Sequence, residues 1–184
     1  MRSEVRFAGF GGQGVIKGAL LTAMAAGLND DIEVAQTQSY GPEARGGACK
    51  SDVVISDEEI DYVKALDIDY FLVMSQPAMD RYAHEIDLSR AVVIADDTLV
   101  KEIPREAKKV YRISATARSE VDFGKALYAN IIMLGALASI SKLMTLEALD
   151  HVLEDNVPPK SLDANRKALR VGYEQGEAAL GQQY

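Results

Sequence analysis

Cysteine is almost absent from this sequence, and its scarcity settles several kinds of chemistry at once. Cys49 is the single cysteine in 184 residues, so no intrachain disulfide forms and the four thiolates that an iron–sulfur cluster normally takes are not available. Histidine is nearly as scarce: His84 and His151 stand far apart without metal-ligand spacing, which argues against a zinc site. Basic residues are outnumbered, 20 Lys and Arg against 28 Asp and Glu, for a formal net charge of -8. Such a chain repels nucleic acid and anionic lipid, so any anionic ligand has to be bound locally. Long hydrophobic runs are missing too. The most apolar stretch, 131–140, lies between Asn130 and Lys142 and is far shorter than the roughly 20 residues a membrane span needs. The opening MRSEVRFAGF shows no secretory hydrophobic region, and the expectation is a cytoplasmic protein with neither a membrane nor a nucleic-acid partner.

With 48% hydrophobic and 26% charged residues, the chain has enough apolar material for an ordinary folded domain. Residues 5–10 form a short apolar run that ends in glycines, as a buried strand does. From 15 to 28 the rhythm turns helical, with apolar pairs Val15/Ile16, Ala19/Leu20 and Ala23/Met24 recurring a turn apart, so one face packs on a sheet. A second strand is expected over 32–38, a Gly/Pro-rich loop over 39–47 and a third strand over 51–55. The loop of about ten residues favours antiparallel pairing of those two strands, since a parallel crossover takes a dozen or more. Further strands are expected at 70–74, 91–95 and 110–113, with a helix starting after Pro77.

The stretch 125–141 is helical and nearly apolar all round, and wants cover on more than one side, from its own chain or from a partner. Thr145 is the expected cap of a helix to about 154, Pro158-Pro159 stops it, and Ser161 is the expected cap of a last helix running toward Tyr184. Strands alternating with helices in this way predict an α/β fold, three layers deep, around a mostly parallel or mixed sheet. No repeat, low-complexity tract or linker divides the sequence, so 1–184 is read as a single unit with C-terminal helices from about 125 onward.

Gly9-Phe10-Gly11-Gly12-Gln13-Gly14 fits G-x-G-x-x-G between a strand and a helix. Glycines there let a ligand approach the backbone, and the free N–H groups at the start of the helix favour phosphate or carboxylate. The same pattern also serves close strand–helix packing or a subunit contact. A dinucleotide site further expects an acid at the carboxyl end of the second strand. That end here is Gln36-Thr37-Gln38-Ser39, and the nearby Glu33 lies at the strand's beginning. An autonomous dehydrogenase is not indicated, whereas a free nucleotide-binding or regulatory module stays open.

The second loop, Ser39-Tyr40-Gly41-Pro42-Glu43-Ala44-Arg45-Gly46-Gly47, is the more unusual. Pro42 stiffens it, its glycines fold it tightly, and Tyr40 and Arg45 offer an aromatic face and a planar cationic fork able to grip phosphate or carboxylate. A local Glu43–Arg45 ion pair with Tyr40 as packing is the plainer alternative. If the flanking strands are neighbours, both loops emerge at one edge of the sheet, where open α/β sheets bind ligands.

The motifs GFGGQG at 9–14 and QSYGPEARGGACKSDVVIS at 38–56, in that order, resemble the gamma subunit of the 2-oxoacid:ferredoxin oxidoreductases, most closely its 2-oxoglutarate branch. The resemblance runs from the first strand through the strand ending at Asp96 and implies an α/β fold similar to the gamma domain of pyruvate:ferredoxin oxidoreductase. It implies a subunit of a complex converting 2-oxoglutarate, coenzyme A and oxidised ferredoxin to succinyl-CoA, carbon dioxide and reduced ferredoxin, with a pyruvate or branched-chain 2-oxoacid enzyme as the alternative. Thiamine diphosphate, magnesium and the iron–sulfur clusters would sit in alpha, beta and ferredoxin-like delta chains, with ferredoxin as external acceptor. This sequence has no Gly-Asp-Gly segment of the thiamine type. The resemblance places Gly11, Gly12, Gln13 and Gly14 of the first loop, and Ser39, Tyr40, Glu43, Arg45 and Gly46 of the second, on the coenzyme A side of the active region. Backbone N–H groups and Arg45 would meet coenzyme A phosphates or an anionic partner group, Tyr40 would stack or pack, and Glu43 would orient Arg45.

Outside the loops, Cys49 reads as a small packing residue at a strand entrance. Asp96-Asp97, at a strand end, reads as a cap or turn rather than a metal site, and the two histidines as surface residues.

Overall fold

The computed structural model describes residues 1–40 and 47–182. The first apolar run becomes strand β1 (Arg2–Phe10), the glycine cluster turns the chain, and the amphipathic rhythm becomes helix α1 (Val15–Ala26). Strands β2 (Glu33–Tyr40) and β3 (Ala48–Ser56) follow, then β4 (Tyr70–Val73) and helix α2 (Gln76–Tyr82). Strands β5 (Val92–Asp96) and β6 (Lys109–Ile113) complete the sheet, and helices α3 (Ala115–Phe123), α4 (Ala129–Ser141), α5 (Leu146–Asn156) and α6 (Leu162–Gly181) end the chain.

The six strands lie in the order β2-β3-β1-β4-β5-β6. β2 and β3 are antiparallel, as the short loop between them requires, and β3 is antiparallel to β1. β1, β4, β5 and β6 run parallel. The sheet is therefore mixed, with an antiparallel half and a parallel half that share β1.

Helices cover the sheet unevenly. Val5 and Phe7 of β1, Val53 and Ile55 of β3 and Ile94 of β5 face a large core built with α1, α4, α5 and α6. Phe71 and Val73 of β4 and Val93 of β5 face a smaller one around Met79 and Tyr82 of α2. From residue 129 on, the apolar stretch takes its cover from within the chain, with Ile132, Met133, Leu134, Ala136 and Leu137 wholly buried, while Leu127 stays exposed. α4 crosses α6 so closely that a Cβ on Gly135 or Gly172 would overlap backbone of the opposite helix. Backbone contact of this kind is possible only where both helices present glycine.

Several boundaries differ from those the sequence predicts. The stretch from Lys125 opens with a 3₁₀ turn (Ala126–Tyr128) before α4 begins. Ser161 does not cap α6 with its side chain; its hydroxyl donates to Pro158 O at 2.9 Å. Thr145 and Ser75 do cap, accepting from Ala148 N and Ala78 N, with Pro77 in the first turn of α2 as expected. Helix α3 carries no apolar period in the sequence. Its cap comes from elsewhere: the fully buried Asp96 at the end of β5 accepts from Thr116 N at 3.2 Å and from Thr116 Oγ1 at 2.5 Å.

Candidate functional site

β1 delivers its chain to α1 on one face of the sheet, while its parallel neighbour β4 delivers to α2 on the other. The connections diverge between the carboxyl ends of these two strands, which is where open α/β sheets form their ligand crevices. The first glycine loop sits there. The register also brings the end of β2 and the start of β3 to the same rim: Phe10 lies opposite Ala48, Gly9 opposite Cys49, and Tyr40 opposite Cys49. Gly11 N donates to Gly47 O at 3.2 Å, tying the first loop to the start of β3.

Gln13 spans the divergence. Its Oε1 accepts from Phe10 N at 2.9 Å and its Nε2 donates to Met74 O at 2.8 Å, so one side chain bolts the end of β1 to the end of β4. Each end of the amide thus makes one bond within the chain and keeps one further donor or acceptor. Gly14 begins α1 with φ +76°, and a Cβ there would press on the Asn130 amide. The position needs glycine for its left-handed backbone and for the approach of α4. The first-turn amides of α1, which no intrahelical carbonyl can reach, follow directly after it. Gly11 and Gly12 are exposed and Gln13 and Gly14 half-buried. Ser39 is exposed near the end of β2. Glu43, Arg45 and Gly46 lie outside the described residues, and of Tyr40 only the backbone is described.

The opposite face anchors the start of β3. Arg6 on β1 forms a two-pronged pair with Asp52, both contacts 2.8 Å, and reaches Glu85 at 2.7 Å. Lys50 also pairs with Glu85 and lies 5.1 Å from the centre of the Tyr82 ring, whose hydroxyl donates to Ala48 O at 2.9 Å. Burial alone would raise the Glu85 pKa, but hydrogen bonds and charge from Lys50 and Arg6 outweigh it and hold the carboxyl below its ordinary value. Burial pushes the Cys49 thiol up, away from the thiolate a reactive cysteine needs. Cys49 is a packing residue. Asp97 accepts from Ser114 Oγ at 2.8 Å, so with Asp96 it serves the turn and the cap of α3. His84 and His151 are exposed.

Sequence reasoning missed the cleft on the α1 side of the first loop. It is about 400 Å³ in volume and joins Gly12, Gln13 and Gly14 to Lys17, Lys125, Asn130 and Lys160. These residues come from three separate parts of the chain, and no short motif announces them. A larger cavity of about 500 Å³ lies beside the carboxyl half of α2 and is lined by no described residue of either glycine loop. Among the described residues no three His, Cys, Asp or Glu side chains converge as a metal site would require.

A mixed α/β sheet with a glycine loop at its switch point defines the structural class: an open α/β domain whose carboxyl-edge crevice is lined by loop backbone. Comparison with known proteins makes the class particular. Residues 4–175 match the family model of the pyruvate ferredoxin/flavodoxin oxidoreductases. The 2-oxoglutarate synthase subunit KorC of Methanocaldococcus jannaschii is 42% identical over 95% of this chain and 94% of its own. In Methanothermobacter thermautotrophicus, KorC is 38% identical over 95% of both chains, against 28% for the pyruvate synthase subunit PorC over 95% of this chain and 96% of its own. The crystal structure of a keto/oxoacid ferredoxin oxidoreductase gamma subunit from Geobacter sulfurreducens superposes with TM-score 0.87 at 34% identity, covering 97% of this chain and 98% of that one. The chain belongs to the pyruvate ferredoxin/flavodoxin oxidoreductase family.

Proposed function

We propose that this chain is the gamma subunit of a 2-oxoglutarate:ferredoxin oxidoreductase and supports the coenzyme A-dependent oxidative decarboxylation of 2-oxoglutarate to succinyl-CoA. The excess of identity to KorC over PorC within one organism supports the 2-oxoglutarate branch over the pyruvate one. In this reading the thiamine diphosphate, magnesium and iron–sulfur clusters belong to alpha, beta and delta chains, ferredoxin is the external acceptor, and the assembly is cytoplasmic. No helix among the described residues is long and apolar enough to cross a membrane.

The observation that carries the role of this chain is the shared rim. The first glycine loop leaves β1 at the edge where β2 ends and β3 begins, beside the point where the sheet's connections diverge. Backbone N–H groups of Gly12 and of the first turn of α1 offer donors to a coenzyme A phosphate, and Arg45 supplies the charge-assisted partner. Glu43 orients Arg45, and Tyr40 packs on the ligand. Gln13 holds the rim in shape from below.

The test is a coenzyme A titration of the assembled complex carrying Arg45→Ala, with 2-oxoglutarate as substrate. The expected result is a raised KM for coenzyme A with assembly intact. An unchanged KM removes Arg45 from the site, and better turnover of pyruvate than of 2-oxoglutarate overturns the branch. Micromolar binding of NAD(H) or ATP by the chain alone would instead favour a free nucleotide module.

A further inference from the structure

The cleft beside the first loop has a charge that the rest of the molecule does not lead one to expect. The chain carries a net -8, yet the lining of this cleft holds Lys17, Lys125 and Lys160 and no Asp or Glu. Lys17 is already engaged, donating to Asn156 O at 2.8 Å. Lys125 is held over the Tyr128 ring at 5.7 Å, and on the adjoining surface Lys167 is held over Phe123 at 5.3 Å. The two rings pack 4.7 Å apart. Cations laid on aromatic faces are partly ordered before any partner arrives, which lowers the entropy lost on binding.

An apolar element accompanies the charge. Leu127 lines the same cleft and stays 65% exposed, and Val121 on the neighbouring α3 is 77% exposed. A single exposed leucine is ordinary. One set among lysines that no carboxylate of the cleft offsets has the composition of an interface whose other half is elsewhere.

We propose that this cleft is the docking site for an acidic segment of a sister subunit, with carboxylates set against Lys125 and Lys160 and an apolar side chain laid over Leu127. Charge complementarity selects that occupant: an acidic chain that must join other subunits needs a local positive face wherever an acidic neighbour approaches. Docking here also places the sister chain against Gly12 and Gly14, so assembly and the rim are physically continuous. The proposal rests on the chain being one subunit of a larger enzyme, and not on coenzyme A reaching the rim.

The experiment measures the affinity of the full chain for its co-purified sister chains at low and at moderate ionic strength. It compares wild type with Lys125→Glu/Lys160→Glu, with Leu127→Ser, and with Lys108→Glu as a control, since Lys108 bonds through its backbone to Leu88 on the opposite face. Matched melting temperatures of the isolated chains establish that each variant folds. The double reversal is expected to weaken assembly by about tenfold or more and to flatten its salt dependence. Leu127→Ser is expected to weaken it by about threefold with the salt dependence kept, and Lys108→Glu to leave it unchanged. Assembly of the double variant within about twofold of wild type overturns the proposal. So does saturable micromolar binding of pyrophosphate or coenzyme A by the isolated chain through the same lysines, because a small phosphate ligand would then be the occupant.

Discussion

Glycine is put to opposite uses in two parts of this molecule. Where α4 crosses α6, Gly135 and Gly172 remove side chains so that two helix backbones touch, and nothing is left over for a ligand. At the rim the glycines of the first loop divide: Gly14 gives up its Cβ to admit the Asn130 amide, while Gly12, at φ +100°, has open space where a Cβ would stand, and Gln13 ties the loop to Phe10 and Met74. The crossing and Gly14 use the absent Cβ for packing, whereas at Gly12 it leaves the backbone open. Composition alone does not separate the two, because each is a small residue beside apolar neighbours.

Substitutions in the two places are expected to behave differently. Gly172→Val drives a branched side chain into Ile132 O, and the helices cannot separate without opening the main core. A loss of about 4 kcal/mol, or failure to fold, is expected in urea unfolding. A loss below about 1 kcal/mol would show that the crossing relaxes and that the comparison is wrong. Gly14→Ala places an L side chain at φ +76° against the Asn130 amide, and is expected to cost about 1–2 kcal/mol while leaving the fold intact. If the rim serves a ligand, this variant also raises the KM for coenzyme A in the assembled complex. Gln13→Ala removes the bolt between β1 and β4. Because water can replace the partner of Phe10 N, the expected loss is about 1 kcal/mol, with hydrogen exchange accelerated at residues 10–14 and not in α4.

Acid sharpens the same contrast. The Glu85 pKa is depressed in the folded chain, where Lys50 and Arg6 override burial. Its stabilising contribution is therefore complete above the ordinary carboxylate range and is lost as pH falls through the depressed value. Amides at the β1–β3 end beside Arg6 and Lys50 are expected to lose protection on acidification before those of α4, whose buried stretch contains no titratable side chain. Glu85→Gln is expected to abolish most of that difference. Equal loss of protection in both regions would assign the acid sensitivity elsewhere.

Much of the fold was legible because its signals are local. The apolar run of β1, the rhythm of α1, the short link between β2 and β3 and the all-round apolarity of α4 are each signals carried by residues close together in sequence. Helix α3 was not legible, because its cap is Asp96, a residue 20 positions upstream of Thr116. Ser161 looked like a cap and is not one, since its hydroxyl found Pro158 O first. The first loop's place at the rim was legible in its motif, and the antiparallel pairing expected of β2 and β3 brings the ends of those strands to the same edge. Its bolt was not, because Met74 becomes the partner of Gln13 only once β4 lies beside β1. The lysine cleft left no trace in the sequence for the same reason.

The sequence by itself determined the alternation of strands and helices, the two glycine loops, and the lack of thiol or imidazole clusters, since these depend on residue identity and short spacing. Tertiary structure alone decided that α4 is consumed inside the chain, that Gln13 locks the switch point, and that Lys125 and Lys160 share a cleft with Gly14. Each of those facts is a contact between segments tens of residues apart. The geometry that joins them is fixed by strand order and helix packing, which no local pattern of side chains encodes.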